Sequence, residues 1–184
     1  MRLYLVRHAR PLVREGMCYG STDLAADEGH QQQALIELVR RLPARTPLLS
    51  SPMQRCRSLA TLLTSALHAG APVFDSRLAE MDFGAWEMRA WDAIPRAEID
   101  AWAAELATHR PGGGESLIDV ARRVRAFYDE LQATKPACTI VVAHAGTIRL
   151  LLAAAQSASV EQMVSIAAQT PNNIGYGELT TIDC

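Results

Sequence analysis

The 184-residue chain lacks paired cysteines, an excess of charge of either sign, a long apolar run and any internal repeat. Each absence closes off a class of protein. Cys18, Cys56, Cys138 and Cys184 are scattered, with no C-x-x-C pair and no His/Cys cluster at zinc-ligand spacing, so neither a disulfide framework nor a structural metal is expected. Eighteen Lys and Arg against 20 Asp and Glu leave a formal net charge of −2 and a pI near 6.2, which provides no global basic field for nucleic acid. Any anion handled here must be met by local arginines. The opening run Met1–Val6 turns charged at Arg7, far too short for a signal peptide or a membrane span, and a cytoplasmic protein is expected. With 49% apolar residues, positions 1–184 are expected to form a single domain burying about 70% of its unfolded surface. The sequence specifies no oligomeric state.

What is present is an alternation of short β-branched or leucine-rich runs with helical patterns, the mark of a layered α/β fold. Leu3–Val6 reads as a first strand. A helix near Asp27–Leu42 carries the apolar stripe Leu35, Leu38, Val39 and Leu42. Leu48–Leu49 reads as a second strand leading to Ser51-Pro52-Met53-Gln54, where serine at the N-cap, proline at the first helical position and glutamine three residues on predict a capping box. That helix should run to about Leu67, with Val73–Phe74 as an edge strand. Residues 85–112, which hold Trp86, Trp91 and Trp102, read as a small helical cap over one end of the sheet, ending at a flexible Pro111-Gly112-Gly113-Gly114. An amphipathic helix from Leu117, the strand Thr139–Ala143 at the sheet centre, a helix from Gly146-Thr147 through Ala155 and a last strand Gly177–Ile182 complete the pattern. The fold class expected is a three-layer α/β/α sandwich with a mostly parallel sheet.

Two of the five histidines directly follow strands, in Leu5-Val6-Arg7-His8-Ala9 and Val141-Val142-Ala143-His144-Ala145. In an open α/β sheet the carboxyl ends of strands face the ligand. Either histidine alone is most simply a packed one, and Arg7, Arg55 and Arg57 alone are most simply surface residues. Taken together with Arg55 in the first turn of a helix and the amides of Ala145–Thr147 at a helix start, they describe a site for an anion such as phosphate. Without an anion, converging cations repel by roughly 4 kcal/mol per close pair. Glu80, Asp82 and Glu87 lie in an apolar and aromatic stretch, where desolvation and a bound dianion would raise a carboxyl pKa; pairing with surface arginines is the simpler alternative.

In order, Val6-Arg7-His8-Ala9, Ser51-Pro52-Met53-Gln54-Arg55-Cys56, Glu80 to Glu87, Gly113-Gly114-Glu115-Ser116 and Ala143-His144-Ala145-Gly146 resemble the histidine phosphatase, or phosphoglycerate mutase-like, superfamily across almost the whole chain. The resemblance implies His8 as nucleophile, Glu80 as general acid, and Arg7, Arg55, His144 and the Ala145 amide as phosphoryl-binding groups, with no metal and no cofactor. It departs from the usual pattern at Ala9, Arg10-Pro11, Leu59 and Met88, the last two standing where threonine and glycine are common. The stretch Cys18 to Asp23 and the ending Tyr176-Gly177-Glu178-Leu179 resemble α-ribazole phosphatases of cobalamin assembly, which implies a small-molecule phosphomonoester substrate and neither nucleic acid nor membrane as partner. A broad-specificity phosphatase or a phosphoglycerate mutase stands as the near alternative. The modest cap favours hydrolysis over a mutase. A non-catalytic phosphate-binding protein is the alternative of a different class, disfavoured because His8 and Glu80 are both present.

Overall fold

The structure, a computed structural model, describes every residue except Ala158 and Asn172. The strands are β1 (Arg2–Arg7), β2 (Leu48–Ser50), β3 (Val73–Phe74), β4 (Cys138–Ala143) and β5 (Leu179–Asp183). The α-helices are α1 (Glu28–Val39), α2 (Gln54–Ala66), α3 (Arg96–Ala104), α4 (Leu117–Thr134), α5 (Ala145–Ala154) and α6 (Val160–Gln169). The strands form one sheet in the order β3-β2-β4-β1-β5, parallel except for β5. The three-layer arrangement is therefore the one expected, with β4 at its centre.

The two-residue period of the strands explains the layers. Leu3, Leu5, Val141 and Ala143 point to one face and pack with Val120, Phe127, Leu151 and Met163 of α4, α5 and α6. Val6, Ile140, Val142 and Leu48 point to the other and meet Ala34, Leu38, Leu59 and Leu63 of α1 and α2. Both faces are thus covered, as parallel sheets require. A separate cluster of Cys18, Trp86 and Ile94, with Phe83, Trp91 and Trp102 against it, ties the tryptophan-rich segment to the loop carrying Cys18. No described helix is long and apolar enough to cross a membrane.

Three local expectations are corrected. Ser51 does not cap α2: the helix begins at Gln54 with Met53 in the N-cap position and no side-chain cap from its own element. Ser51 is instead used at the sheet, its amide donating to Val142 O at 2.9 Å and its hydroxyl meeting His144 Nε2 at 2.8 Å, while Asp23 from a distant loop accepts from the Gln54 amide at 2.6 Å. Helix α6, over Val160–Gln169, was not foreseen. It begins at an ordinary Ser159 N-cap, whose side chain accepts from Gln162 N.

The third correction concerns the glycine run. Pro111–Gly113 is a single tight turn, and a Cβ on Gly114 would stand on Asp82 O and 2.7 Å from Gly84 N. Gly112 and Gly114 serve close backbone approach, and Gly113 supplies the positive φ of 78° that the turn uses. Met88, in the family's glycine position, keeps glycine's left-handed backbone with φ 60°, a conformation that costs a non-glycine residue roughly 1–2 kcal/mol.

An added methyl group on Gly114 is opposed by the backbone atoms of Asp82 and Gly84 that it would meet. We expect Gly114→Ala to lower the unfolding free energy by about 1–3 kcal/mol, whereas Gly70→Ala, with nothing within 4 Å of the new Cβ, should not destabilise. Urea denaturation of the two variants checks this; equal midpoints would contradict the packing role.

Candidate active site

The parallel register of β1 and β4, with Arg7 opposite Ala143, brings the two strand ends side by side. His8 N then donates to Ala143 O at 3.0 Å, and the His8 and His144 rings stand 5.0 Å apart edge to face. Both side chains are buried. His8 Nδ1 lies 2.6 Å from the carbonyl of Ala9, so a proton there donates to that oxygen and leaves Nε2 as the ring's lone pair. Burial, followed by the charge of Arg55, lowers the His8 pKa to about 3. His144 is also held well below its ordinary value, first by burial and then by His8 and Arg55. Both imidazoles are neutral at physiological pH.

The arginines reach the same place from different elements. Arg7 leaves the end of β1, donates from Nη1 to Ile174 O at 2.5 Å and lies with its guanidinium carbon 3.8 Å from the Tyr176 ring centre. Arg55, in the first turn of α2, is wholly buried and donates to Thr22 O at 2.8 Å and Gly20 O at 2.6 Å. The Nε atoms of both are buried without a hydrogen-bond partner among the described residues. Arg57 turns outward over Phe74, as a solvated helix face would.

Glu80 is fixed from two directions. Its carboxylate accepts from the amides of Gly146 at 3.0 Å and Met81 at 3.1 Å, and it occupies the space that a Cβ on Gly146 would need. The Gly146 amide is therefore engaged, which narrows the expected row of free helix-start donors; the buried Ala145 still lines the cavity. Behind Glu80, Arg123 of α4 forms a bidentate ion pair with Glu115 at 2.9 Å and donates to the carbonyls of Arg77, Ala79 and Glu80. Sequence reasoning missed Arg123. Its signal was a charge three residues after Val120 and four before Phe127, within the buried stripe of α4.

Among the described residues, Glu87 and Asp82 form no ion pair with an arginine. Glu87 accepts from the amides of Gly20, Ser21, Thr22 and Phe83 and from the Thr22 hydroxyl. Burial alone would raise its pKa, but these donors together hold it below the usual carboxylate range. Asp82 accepts from Gly84 N and Ser21 Oγ. The two carboxylates thereby fix the loop whose carbonyls hold Arg55.

All six expected residues, Arg7, His8, Arg55, Glu80, His144 and Ala145, line one cavity of about 360 Å³. Its other walls include Met17, Phe83, Trp91, Trp102, Leu106 and Leu117, with Arg149 beyond. Trp91 and Trp102 are stacked at 6.3 Å with 11° between their planes, and Trp102 Nε1 is a buried donor without a partner among the described residues. Arg149 donates to Ala167 O and Thr170 O. Arg10 is exposed and does not line the cavity. The arrangement combines a neutral, oriented imidazole, two cations and a carboxyl group at one end of a cavity whose remaining walls are largely apolar.

Residues 3–180 match the histidine phosphatase superfamily, branch 1. A glucosyl-3-phosphoglycerate phosphatase of Mycobacterium tuberculosis is 33% identical over 172 residues, covering 83% of this chain and 74% of that one. An adenosylcobalamin/alpha-ribazole phosphatase of Salmonella typhimurium is 29% identical over 160 residues, covering 83% and 78%. Among solved structures, the alpha-ribazole phosphatase from Shigella flexneri superposes with a TM-score of 0.81 at 25% identity, covering 100% of this chain and 90% of that one. The chain spans only 43% of a bifunctional protein of Mycobacterium tuberculosis that it matches at 32% identity. The chain belongs to the histidine phosphatase superfamily, and it is a phosphatase.

Two buried neutral histidines make stability depend on pH. Each has a folded pKa below the unfolded value near 6.5, so the unfolded state binds more protons between that value and the folded one. Stability from both is then complete well above pH 6.5 and falls as pH drops, His8 alone accounting for about 2 kcal/mol at pH 5. Urea unfolding at pH 7.5 and pH 5 should show this loss, and His8→Asn should remove the roughly 2 kcal/mol that His8 contributes to it. An unchanged pH slope in the variant would contradict a buried neutral His8.

Proposed function

We propose that the protein hydrolyses small phosphomonoesters through a phosphohistidine on His8, and that α-ribazole 5′-phosphate is the substrate its cavity favours. The observation that carries the reading is the gathering of Arg7, His8, Arg55, Glu80, His144 and Ala145 around one cavity. In this reading His8 Nε2 attacks phosphorus in line with the ester oxygen, forming the N–P bond as the P–O bond breaks. The Ala9 carbonyl holds the other ring nitrogen's proton and supports the charge that develops on the imidazole. Arg7, Arg55, His144 and the Ala145 amide hold the equatorial oxygens, and Glu80 gives its proton to the departing alkoxide. Glu80, now ionised, takes a proton from water as that water attacks the phosphohistidine. Inorganic phosphate leaves, and neutral His8 and protonated Glu80 are restored. No step uses a metal ion.

Residues 1–184 are read as one phosphatase domain in which positions 85–112 form a cap that contributes Trp91 and Trp102 to the cavity. The stacked tryptophans with Phe83 and Met17 suit a leaving group with a flat aromatic part, as in the nucleoside α-ribazole, and the Salmonella typhimurium and Shigella flexneri relatives point the same way. Base-on-aromatic stacking contributes about 1–3 kcal/mol. Four free thiols fit a cytoplasmic enzyme. One observation favours a second substrate, a glucosyl-3-phosphoglycerate like that of the Mycobacterium tuberculosis relative: Arg149 lines the same cavity and enters no ion pair among the described residues, so it could meet an acidic leaving group.

Rates with α-ribazole 5′-phosphate, glucosyl-3-phosphoglycerate and 3-phosphoglycerate, with and without chelator, test the substrate. The first should have the highest kcat/KM, at least tenfold above the others, and Trp91→Ala should remove most of that margin; no preference would defeat the assignment. For the chemistry, Glu80→Gln should slow alkyl phosphates by about 10²–10⁴ while affecting an aryl phosphate with a good leaving group far less. Equal slowing of both would exclude Glu80 as the acid.

A further inference from the structure

We propose that Tyr176 and Tyr19 are positioning residues, a pair of rings whose π faces hold Arg7 and Arg55 edge-on to the phosphoryl group. The proposal rests on the reading of the cavity's charged end as a phosphate site.

Two guanidinium groups that must face one anion repel each other before it arrives, and each has a long side chain free to swing away. In-plane N–H groups are held by carbonyls in both arginines: Ile174 for Arg7, and Gly20 and Thr22 for Arg55. The flat faces have no N–H to donate, so an aromatic ring can cover a face without competing for a donor, and the ring quadrupole attracts the charge. The Tyr176 ring covers Arg7 at 3.8 Å, and the Tyr19 ring stands 5.6 Å from the guanidinium carbon of Arg55. Their hydroxyls meet at 2.6 Å, across 157 positions of sequence, one donating to the other. Burial and this bond raise the Tyr19 pKa, which keeps its hydroxyl protonated beside the cations.

Tyr176 is itself held by the backbone beside it. The amide of Gly177 donates at 3.1 Å to the carbonyls of both Arg7 and His8. Gly177 has a φ of 72°, and a Cβ there would lie 2.7 Å from that of Ala34, so only glycine fits the turn. The Tyr176 ring is thereby fixed to the same residues whose side chains it faces, with its centre 5.6 Å from that of the His8 ring. This explains why an aromatic residue stands at 176: it closes a chain of contacts running Arg7, Tyr176, Tyr19, Arg55.

The test compares Tyr176→Leu, which keeps apolar bulk but removes the π face, with Tyr176→Phe, which keeps the face and removes the hydroxyl. Binding of inorganic phosphate is measured by calorimetry alongside the melting temperature. Tyr176→Leu should weaken phosphate about tenfold, while Tyr176→Phe stays within about threefold of the wild type. Tyr176→Met serves as the second apolar variant where leucine impairs folding. KM and the phosphate inhibition constant should rise together in the apolar variants, with the dependence of rate on leaving group unchanged. Equal phosphate affinity in the Phe and apolar variants overturns the positioning role while leaving the phosphate site intact. A wild type that binds no phosphate overturns the site reading as well as the clasp built on it.

Discussion

The site depends on one constraint: two arginine cations are held beside the carboxyl ends of the central strands by neutral groups. Among the described residues neither Arg7 nor Arg55 forms an ion pair within 4.0 Å; their donors go to the carbonyls of Ile174, Gly20 and Thr22, and their faces to tyrosine rings. A carboxylate partner would have neutralised the charge that an anion needs. Carbonyl dipoles offset part of the cost of burial and leave the charge available. The same field, added to burial, keeps His8 unprotonated, so the property that attracts an anion also preserves the lone pair that would attack it.

Much of the surrounding structure follows from keeping those neutral acceptors in place. The carbonyls of Gly20 and Thr22 belong to a loop with little regular structure, and Glu87 with Asp82 fastens it through amide and hydroxyl donors. Arg123 does the equivalent for the segment ending at Glu80, bonding its carbonyls while Glu115 neutralises the arginine. The two halves are joined by backbone packing without intervening side chains, where Gly84, Gly112 and Gly114 meet. The arginine charge inside the cavity is left open, while behind it Arg123 is paired with Glu115 and the carboxylates of Glu87 and Asp82 are met by amide and hydroxyl donors.

The parts of this fold that were readable from sequence are those written in periodicity. Apolar strands and the stripe of α4 are repeated over several residues, and the fold class followed from them; His8 and His144 were marked by their strand-end positions and Arg55 by its helix start, whereas Glu80 stood out only through the resemblance to the histidine phosphatase superfamily. Signals resting on a single local rule were less secure. Ser51-Pro52-Met53-Gln54 satisfies every condition for a capping box, yet tertiary demand took the Ser51 hydroxyl for His144 and supplied the helix cap from Asp23, which is 31 positions away. The glycine run looked flexible because composition does not distinguish freedom from close approach. The acceptor for His8 was illegible in principle, since every residue carries a carbonyl. The Tyr19 and Tyr176 contact joins two distant loops, and no local pattern announces it.

The central claim is that His8, oriented by Ala9 and kept neutral by its surroundings, is the atom that takes the phosphoryl group. Rapid quenching of the enzyme with a phosphorus-labelled phosphomonoester, followed by peptide mapping, tests it most directly. The account predicts an acid-labile, alkali-stable label on the peptide carrying His8, absent from His8→Ala and present in His144→Ala. Label on His144, on a serine or on a carboxylate, or turnover by His8→Ala at the wild-type rate, would contradict it.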